Sequence, residues 1–209
     1  DDGGFWSLGL APVPGTPDRY RADDTPGSVT IARLERGIDA RMEVWVDPGR
    51  SAECRSITLR NPGPHPRRIE VTSMLEVVLQ EAAHHEAHPG FSRLFVQTEP
   101  AGEGLLLAHR RPREPGVRHP WLACAMRGPG GPGAISFETD RTRFLGRGRG
   151  PEAPLALTSD APLSGTTGDV LDPILALRRT VEIPPGGAAC IELVLAAGRD
   201  RGEVLAIAG

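Results

Sequence analysis

Ile69–Leu79, IEVTSMLEVVL, is the stretch that decides between a helical and a sheet fold for this chain. Ile69, Val71, Ser73, Leu75, Val77 and Leu79 recur every second residue, which puts them on one side of a strand. A helix over MLEVVLQEAA is the competing reading. The unbroken period of two upstream, together with the β-branched residues, favours a strand over 69–79.

Working outward, the same alternation appears on both sides. Upstream, Val29 and Ile31 alternate, followed by Ile38, Ala40, Met42, Val44 and Val46. Asp47-Pro48-Gly49 closes that run, Cys54–Arg60 forms another strand, and Asn61-Pro62-Gly63-Pro64 supplies the next turn. Downstream comes Ala87–Glu99, AHPGFSRLFVQTE, in which Pro89-Gly90 predicts a turn after a His-rich loop (His84, His85, His88). Phe91, Leu94, Phe95 and Val96 then read as a strand anchored in the core, although the chain has only 5 Phe, 3 Trp and 1 Tyr. Gly104–His109, Trp121–Met126 and Ala134–Glu138 are further strands. They are separated by an Arg/Pro loop over Arg110–Pro120 and a glycine turn over Gly128–Gly133. Thr139–Pro162 reads as irregular, Leu171–Leu177 as re-entering the core, and Arg178–Ile183 with Cys190–Leu195 as a closing hairpin around Pro184-Pro185-Gly186-Gly187. Roughly ten short strands at about 8–12-residue spacing imply an all-β fold, a large two-sheet antiparallel β-sandwich. Strands do not alternate with helices, which argues against a parallel α/β sheet.

Residues 29–198 are expected to form the sandwich and residues 1–28 an extended arm, Pro/Gly-rich from Phe5 to Arg21. Over residues 199–209, Asp200 and Glu203 have the spacing of a helix N-cap and its reciprocal partner. Val204–Ala208 then begin an apolar helix, too short to stand alone because isolated helices need about 12–15 residues. It is expected to lead into a further domain, which makes the sequence an excised piece of a longer protein.

A 209-residue chain is long enough to bury about 70% of its unfolded surface as one domain without metal or disulfide. With 24 basic and 27 acidic residues the net charge is −3, so no global field attracts nucleic acid or an anionic membrane. All basic residues are Arg, and Asn61 is the only Asn; this is read as the mark of a GC-rich genome. Cys54, Cys124 and Cys190 lack Cys-x-x-Cys spacing and are expected to be buried free thiols of a reducing compartment. No apolar run approaches about 18 residues, which argues against membrane insertion by this stretch.

Candidate chemistry is sparse. His84-His85-Glu86-Ala87-His88 invites a zinc reading, but counting from His85 places Pro89 where a His-Glu-x-x-His pattern needs its second His, so no metal is expected. Asp140–Gly150, DRTRFLGRGRG, combines guanidinium forks with glycines that allow close approach of a ligand. Gly146-x-Gly148-x-Gly150 is not followed by a helical pattern, so it is no phosphate loop of the strand–helix kind. Glu76, Glu86 and Glu99 have no partner at a diagnostic spacing, and there is no Gly-x-Ser-x-Gly elbow. Trp6, Trp45 and Trp121 suit either the core or a sugar-stacking surface. The residues by themselves give no convincing catalytic set.

Four stretches together resemble one family: HPGFSRLFVQTE at 88–99, VTSMLEVVL at 71–79, ETDRTRFLGRGR at 138–149 and PLSGTTGDVLDPILALRRTVEIPPG at 162–186. The opening GGFWS at 3–7 joins them. They are similar to the β-sandwich domain of the inverting glycoside phosphorylases, historically glycosyltransferase family 36. Within that family they most resemble the phosphorylase-like region of cyclic β-1,2-glucan synthases. The resemblance implies a supersandwich of the galactose-mutarotase type, joined by a linker helix to an (α/α)6 barrel that carries the catalytic carboxylate and the phosphate site. It therefore implies a non-catalytic sandwich domain with no cofactor, a scaffold that packs on the barrel. Its partner ligand would be a β-glucan oligosaccharide, and its setting the cytoplasmic face of a bacterial inner-membrane enzyme. In the synthases the sandwich occurs in tandem copies, and the wording at 138–149 and 163–173 looks more like the upstream copy. His85, His88, Phe91, Arg93, Arg143 and Arg147 are the expected glucan contacts, being polar groups mounted on apolar anchors. The rival readings are a stand-alone carbohydrate-binding module, which 4% aromatic residues make hard to supply, and a mutarotase-like epimerase using His109 or His119 with Glu99.

Overall fold

A computed structural model describes residues 3–112, 114, 116–130, 133–159 and 161–209. Among them eleven strands form two antiparallel sheets. The strands are β1 (Arg19–Thr25), β2 (Ser28–Glu35), β3 (Ile38–Asp47), β4 (Ala52–Arg60), β5 (Arg67–Glu76), β6 (Val96–Pro100), β7 (Leu105–Arg110), β8 (Trp121–Arg127), β9 (Ile135–Asp140), β10 (Pro173–Ile183) and β11 (Ala188–Gly198). The large sheet runs β1-β2-β3-β4-β11-β8-β7-β6, and the small one runs β5-β10-β9. The helices are α1 (Ala82–Ala87), α2 (Pro89–Arg93), α3 (Arg141–Leu145) and α4 (Arg201–Ala208), with a 3-10 turn at Leu155–Thr158.

The turns follow from their residues. Arg36 and Gly37 both take positive φ (50° and 75°), the two-residue geometry that matches the twist of a hairpin and joins β2 to β3. Asn61, nearly fully buried, ties two distant turns together: its amide donates to the carbonyls of His65, Ile183 and Pro184, and its Oδ1 accepts from the Gly63 N–H.

The core lies between the sheets. Ile38, Ala40, Ile57, Leu59, Ile191, Met126, Leu106 and Val96 face inward from the large sheet onto Leu175, Leu177, Val181 and Ile183 of β10. β10 is buried on both faces, its other side packing Ile174 and Ala176 against Phe144 and Leu145. On the outer face of the large sheet Ala52, Ala123, Ala125 and Ala196 leave room for α4, which seats Val204 and Ala208 there. Asp200 caps α4 as expected, accepting from the Glu203 N–H (2.9 Å), while Glu203 reaches back to the Arg199 N–H (2.7 Å).

Several expectations change. The strand at 69–79 ends at Glu76, because Leu79 turns to a φ of 47° and a short helix follows. Within the expected arm, Trp6 and Leu8 pack on the core, Val13 is buried, and Arg19–Thr25 is the edge strand of the large sheet. Phe91 is not on a strand. Pro89 opens α2 at a position where its missing N–H costs nothing, and the strand starts only at Val96. The irregular 139–162 segment contains α3 and the 3-10 turn. Leu171–Leu177 and Arg178–Ile183 belong largely to one strand, β10. Of the expected glycine turn, Gly131 and Pro132 lie outside the described residues, as do Arg113 and Pro115 of the Arg/Pro loop and the opening Asp1 and Asp2.

The cysteines are free, but only Cys124 is fully buried; Cys54 is half-buried, and Cys190 points outward beside Ser56. Burial pushes the Cys124 thiol up to about 12, while burial followed by Asp47 and Glu53 raises Cys54. Alkylation of the native protein near pH 8, read by mass spectrometry, is expected to label Cys190 first, Cys54 slowly and Cys124 only after denaturant is added.

Candidate functional site

Two constellations of polar side chains stand out. The first gathers at the end of β5, where α2, α3 and the segment entering β10 meet. Arg93, last in α2, donates to Asp172 Oδ1 (2.7 Å) and lies 3.5 Å from Glu76 Oε2. Arg141, first in α3, donates to Glu76 Oε1 (2.8 Å) and lies 3.6 Å from Asp172 Oδ2. Two guanidinium groups and two carboxylates thus alternate in a closed ring, each charge flanked by its opposite. Such a ring neutralises itself, so it clasps four segments and does not present a vacant cationic fork to an anion.

Arg93 is the expected contact residue that joins this ring. Phe91, 53% exposed, sits edge-on against Phe95, with ring centroids 5.2 Å apart. Phe95 in turn lies under the guanidinium groups of Arg110 (5.2 Å) and Arg111 (5.8 Å). His88 is exposed between α1 and α2, and His85 is half-buried in α1. Arg143 is exposed and 3.8 Å from Asp140; Arg147 is exposed in the turn after α3. The six expected contacts therefore come from the helical segments at the sandwich end. Among the described residues, no hydrogen bond or ion pair joins the Arg143–Arg147 loop to the histidines. Glu76, Arg141 and Asp172 were missed as partners, because ring members lie 65 and 79 residues apart and no local spacing signals them.

The second constellation lies on the outer face of β6, β7 and β8. The register sets Gln97, His109 and Trp121 in one row, and the His109 and Trp121 rings stack with centroids 4.2 Å apart and 15° between planes. Gln97 donates to Asp169 (2.9 Å), and Arg201 of α4 donates to Glu99 (2.8 Å). An indole, an imidazole and polar groups in one row are the surface chemistry that suits a sugar ring. As an acid–base pair, however, His109 and Glu99 are compromised, since the carboxylate already pairs with Arg201.

Burial pushes His109 below 6.5, against the opposing pull of Glu99 and Asp169. A histidine depressed on folding contributes fully above the unfolded value and loses that contribution as pH falls from about 6.5 toward the folded value. NMR titration is expected to give His109 a midpoint below 6.5, and acidification from pH 7 to 5 is expected to weaken the fold.

A cavity of about 510 Å³ lies between the N-terminal arm, the inner face of β2–β4 and the exposed edge of β5, with Trp6, Ile31, Met42, Ile57 and Val71 in its walls. Among the described residues no three His, Cys, Asp or Glu side chains gather as a metal site, and no helix is long and apolar enough to cross a membrane.

Comparison with known proteins gives these features a family. The chain is 35% identical over 205 residues to the cyclic beta-(1,2)-glucan synthase NdvB of Rhizobium meliloti (strain 1021), covering 95% of the chain and 7% of that protein. It is 27% identical over 189 residues to the solabiose phosphorylase of Paenibacillus borealis, covering 89% of the chain and 23% of that protein. Among solved structures it aligns with a polysaccharide lyase, BACCELL_00875 (14% identity, 84% of this chain and 22% of that one, TM-score 0.47). It also aligns with a kojibiose phosphorylase from the human microbiome (8% identity, 87% of this chain and 19% of that one, TM-score 0.42). At that level neither function nor fold detail transfers. The model for the family "Glycosyl hydrolase 94, supersandwich domain" matches residues 1–209, the two sheets are antiparallel, and the chain belongs to that family.

Proposed function

We propose that this chain is a non-catalytic supersandwich module of a larger glycoside-active protein, a scaffold whose end loops touch glucan while a neighbouring (α/α)6-barrel domain does the chemistry. The observation that carries this reading is the mutual neutralisation of its strongest charged groups. Arg93, Asp172, Arg141 and Glu76 are closed on one another, and Glu99 is held by Arg201, so none of these three carboxylates is left free to act as an acid or base on a glycosidic bond. The small share of each curated relative that the chain spans supports the larger setting. On this reading His85, His88, Phe91, Arg93, Arg143 and Arg147 contact the glucan at the rim of the Arg–carboxylate ring. The parent protein faces the cytoplasm at a bacterial inner membrane.

Titration of the isotopically labelled protein with a linear β-1,2-glucan oligosaccharide tests it. Shift changes confined to residues 84–95 and 141–149, with no glycan turnover, are the expected result. Turnover would end the non-catalytic reading, and unmoved signals in both loops would end the glucan-contact assignment.

A further inference from the structure

The two sheets do not match in width. Eight strands at about 4.8 Å spacing face only three, so the small sheet covers little more than a third of the large one. The shortfall is concentrated on one side. β10 and β9 lie beyond β5, leaving β5 as the edge strand toward β3, β2 and β1.

Past that edge an apolar strip continues along the inner face of the large sheet through Ile31 and Met42 to Val29 (43% exposed) and Val46 (65% exposed), bordered by charge where Arg55 and Glu53 of β4 lie opposite Val44 and Val46 and Asp24 of β1 lies opposite Val29. Alternation along β3 puts Val44 and Val46 on the same face as the buried Ile38 and Ala40, so this is core surface without a cover. β5 itself is open there. Over Ile69–Met74 its backbone bonds only to β10 among the described residues, and those same residues line the cavity of about 510 Å³. The arm from Gly3 to Val13 closes part of the opposite wall without pairing as a strand. An unpaired edge, a hollow beside it and an uncovered apolar face beneath it have the shape of a vacant strand position.

We propose that this position is filled by a β-strand of the same polypeptide, from the segment preceding residue 1 in the longer protein, which adds to the edge of β5 as a fourth strand of the small sheet and covers Val29, Val44 and Val46. Gly3 and Gly4 line the cavity, so polypeptide joined there arrives at its mouth without a long connection. The curated relatives hold most of their length outside the matched region, which leaves ample chain to supply the strand. The incoming strand needs alternating apolar residues toward the valines, while backbone bonds to β5 set its register.

The test uses the full-length protein with the photo-crosslinker p-benzoyl-phenylalanine placed at Val46, and in a second variant at Val29. After irradiation and digestion, the crosslinked peptide is identified by mass spectrometry. The expected result is an intramolecular link to a peptide upstream of residue 1, and loss of that link when the probe sits at Trp45 on the opposite face of β3. Hydrogen exchange is read alongside, with the outer-edge amides of Ile69–Met74 expected to be protected. A link to a second copy, a link to a peptide downstream of residue 209, or no link from either valine position would overturn the proposal. So would free exchange along the β5 edge.

Discussion

Arg33→Ala is expected to lower the unfolding free energy by about 3–5 kcal/mol and to release the N-terminal arm from the sandwich. Arg33 is 1% exposed, yet carries a guanidinium group on β2. Its Nη1 donates to the carbonyls of Ser7 (2.6 Å) and Gly9 (2.7 Å), its Nη2 donates to Glu35 (3.0 Å), and its carbon lies 5.2 Å from the centroid of Trp6. Alanine removes every one of these contacts and leaves two arm carbonyls and a carboxylate without their donor. Arg33→Met keeps much of the volume but not the donors, so it should fall between wild type and alanine. Urea denaturation measures the loss. A red shift of Trp6 emission and new protease cuts between Gly3 and Val13 would locate it in the arm. Unchanged stability with an intact arm would mean that side-chain packing alone holds this segment.

Arg178→Ala is expected to cost about 3 kcal/mol or more by the same logic applied to the small sheet. Arg178 is 2% exposed in the middle of β10. It donates to Thr72 Oγ1 (3.1 Å), to the carbonyl of Ala161 (3.2 Å) and to that of Ala156 (2.6 Å), and it lies 3.4 Å from Glu70. Burial draws its pKa downward and Glu70 opposes that pull, so the charge is retained by its partners. Without the guanidinium, the segment from the 3-10 turn to Ala161 loses its tether to the sheet. Hydrogen exchange is expected to rise there first, ahead of β10. If the cost were under about 1 kcal/mol, solvent would have to reach those carbonyls in the native state.

These two arginines mark what was hard to read from residues alone. The β2–β4 strands were legible because hydrophobic alternation follows burial of one face, and their turns because Pro, Gly and Asp chemistry is local. β10 was harder: it is buried on both faces, so its alternation vanishes, and Arg178 and Arg179 interrupt what would otherwise read as one apolar run. An arginine's role depends on which distant carbonyls it meets, so an all-Arg basic complement read as genome bias concealed tethers. β1 was read as arm because an edge strand in contact with water is polar on both faces. α1 went unread because none of its six residues is buried, leaving no apolar stripe to detect. At the candidate site, Phe91 and Arg93 are neighbours in sequence, but their setting is a pair of short helices and an ion ring closed from far along the chain.

The pairing of β5 with β10 carries a consequence for how the molecule is made. Its cross-strand partners Thr72 and Arg178 are separated by 106 residues, so β5 emerges from the ribosome long before the strand that must shield it. Until then the first four strands can zip as neighbouring hairpins, while β5 waits with the edge that β10 will cover still bare. Topologies of this kind nucleate slowly, and the interval is when such a nascent chain is most exposed to wrong partners.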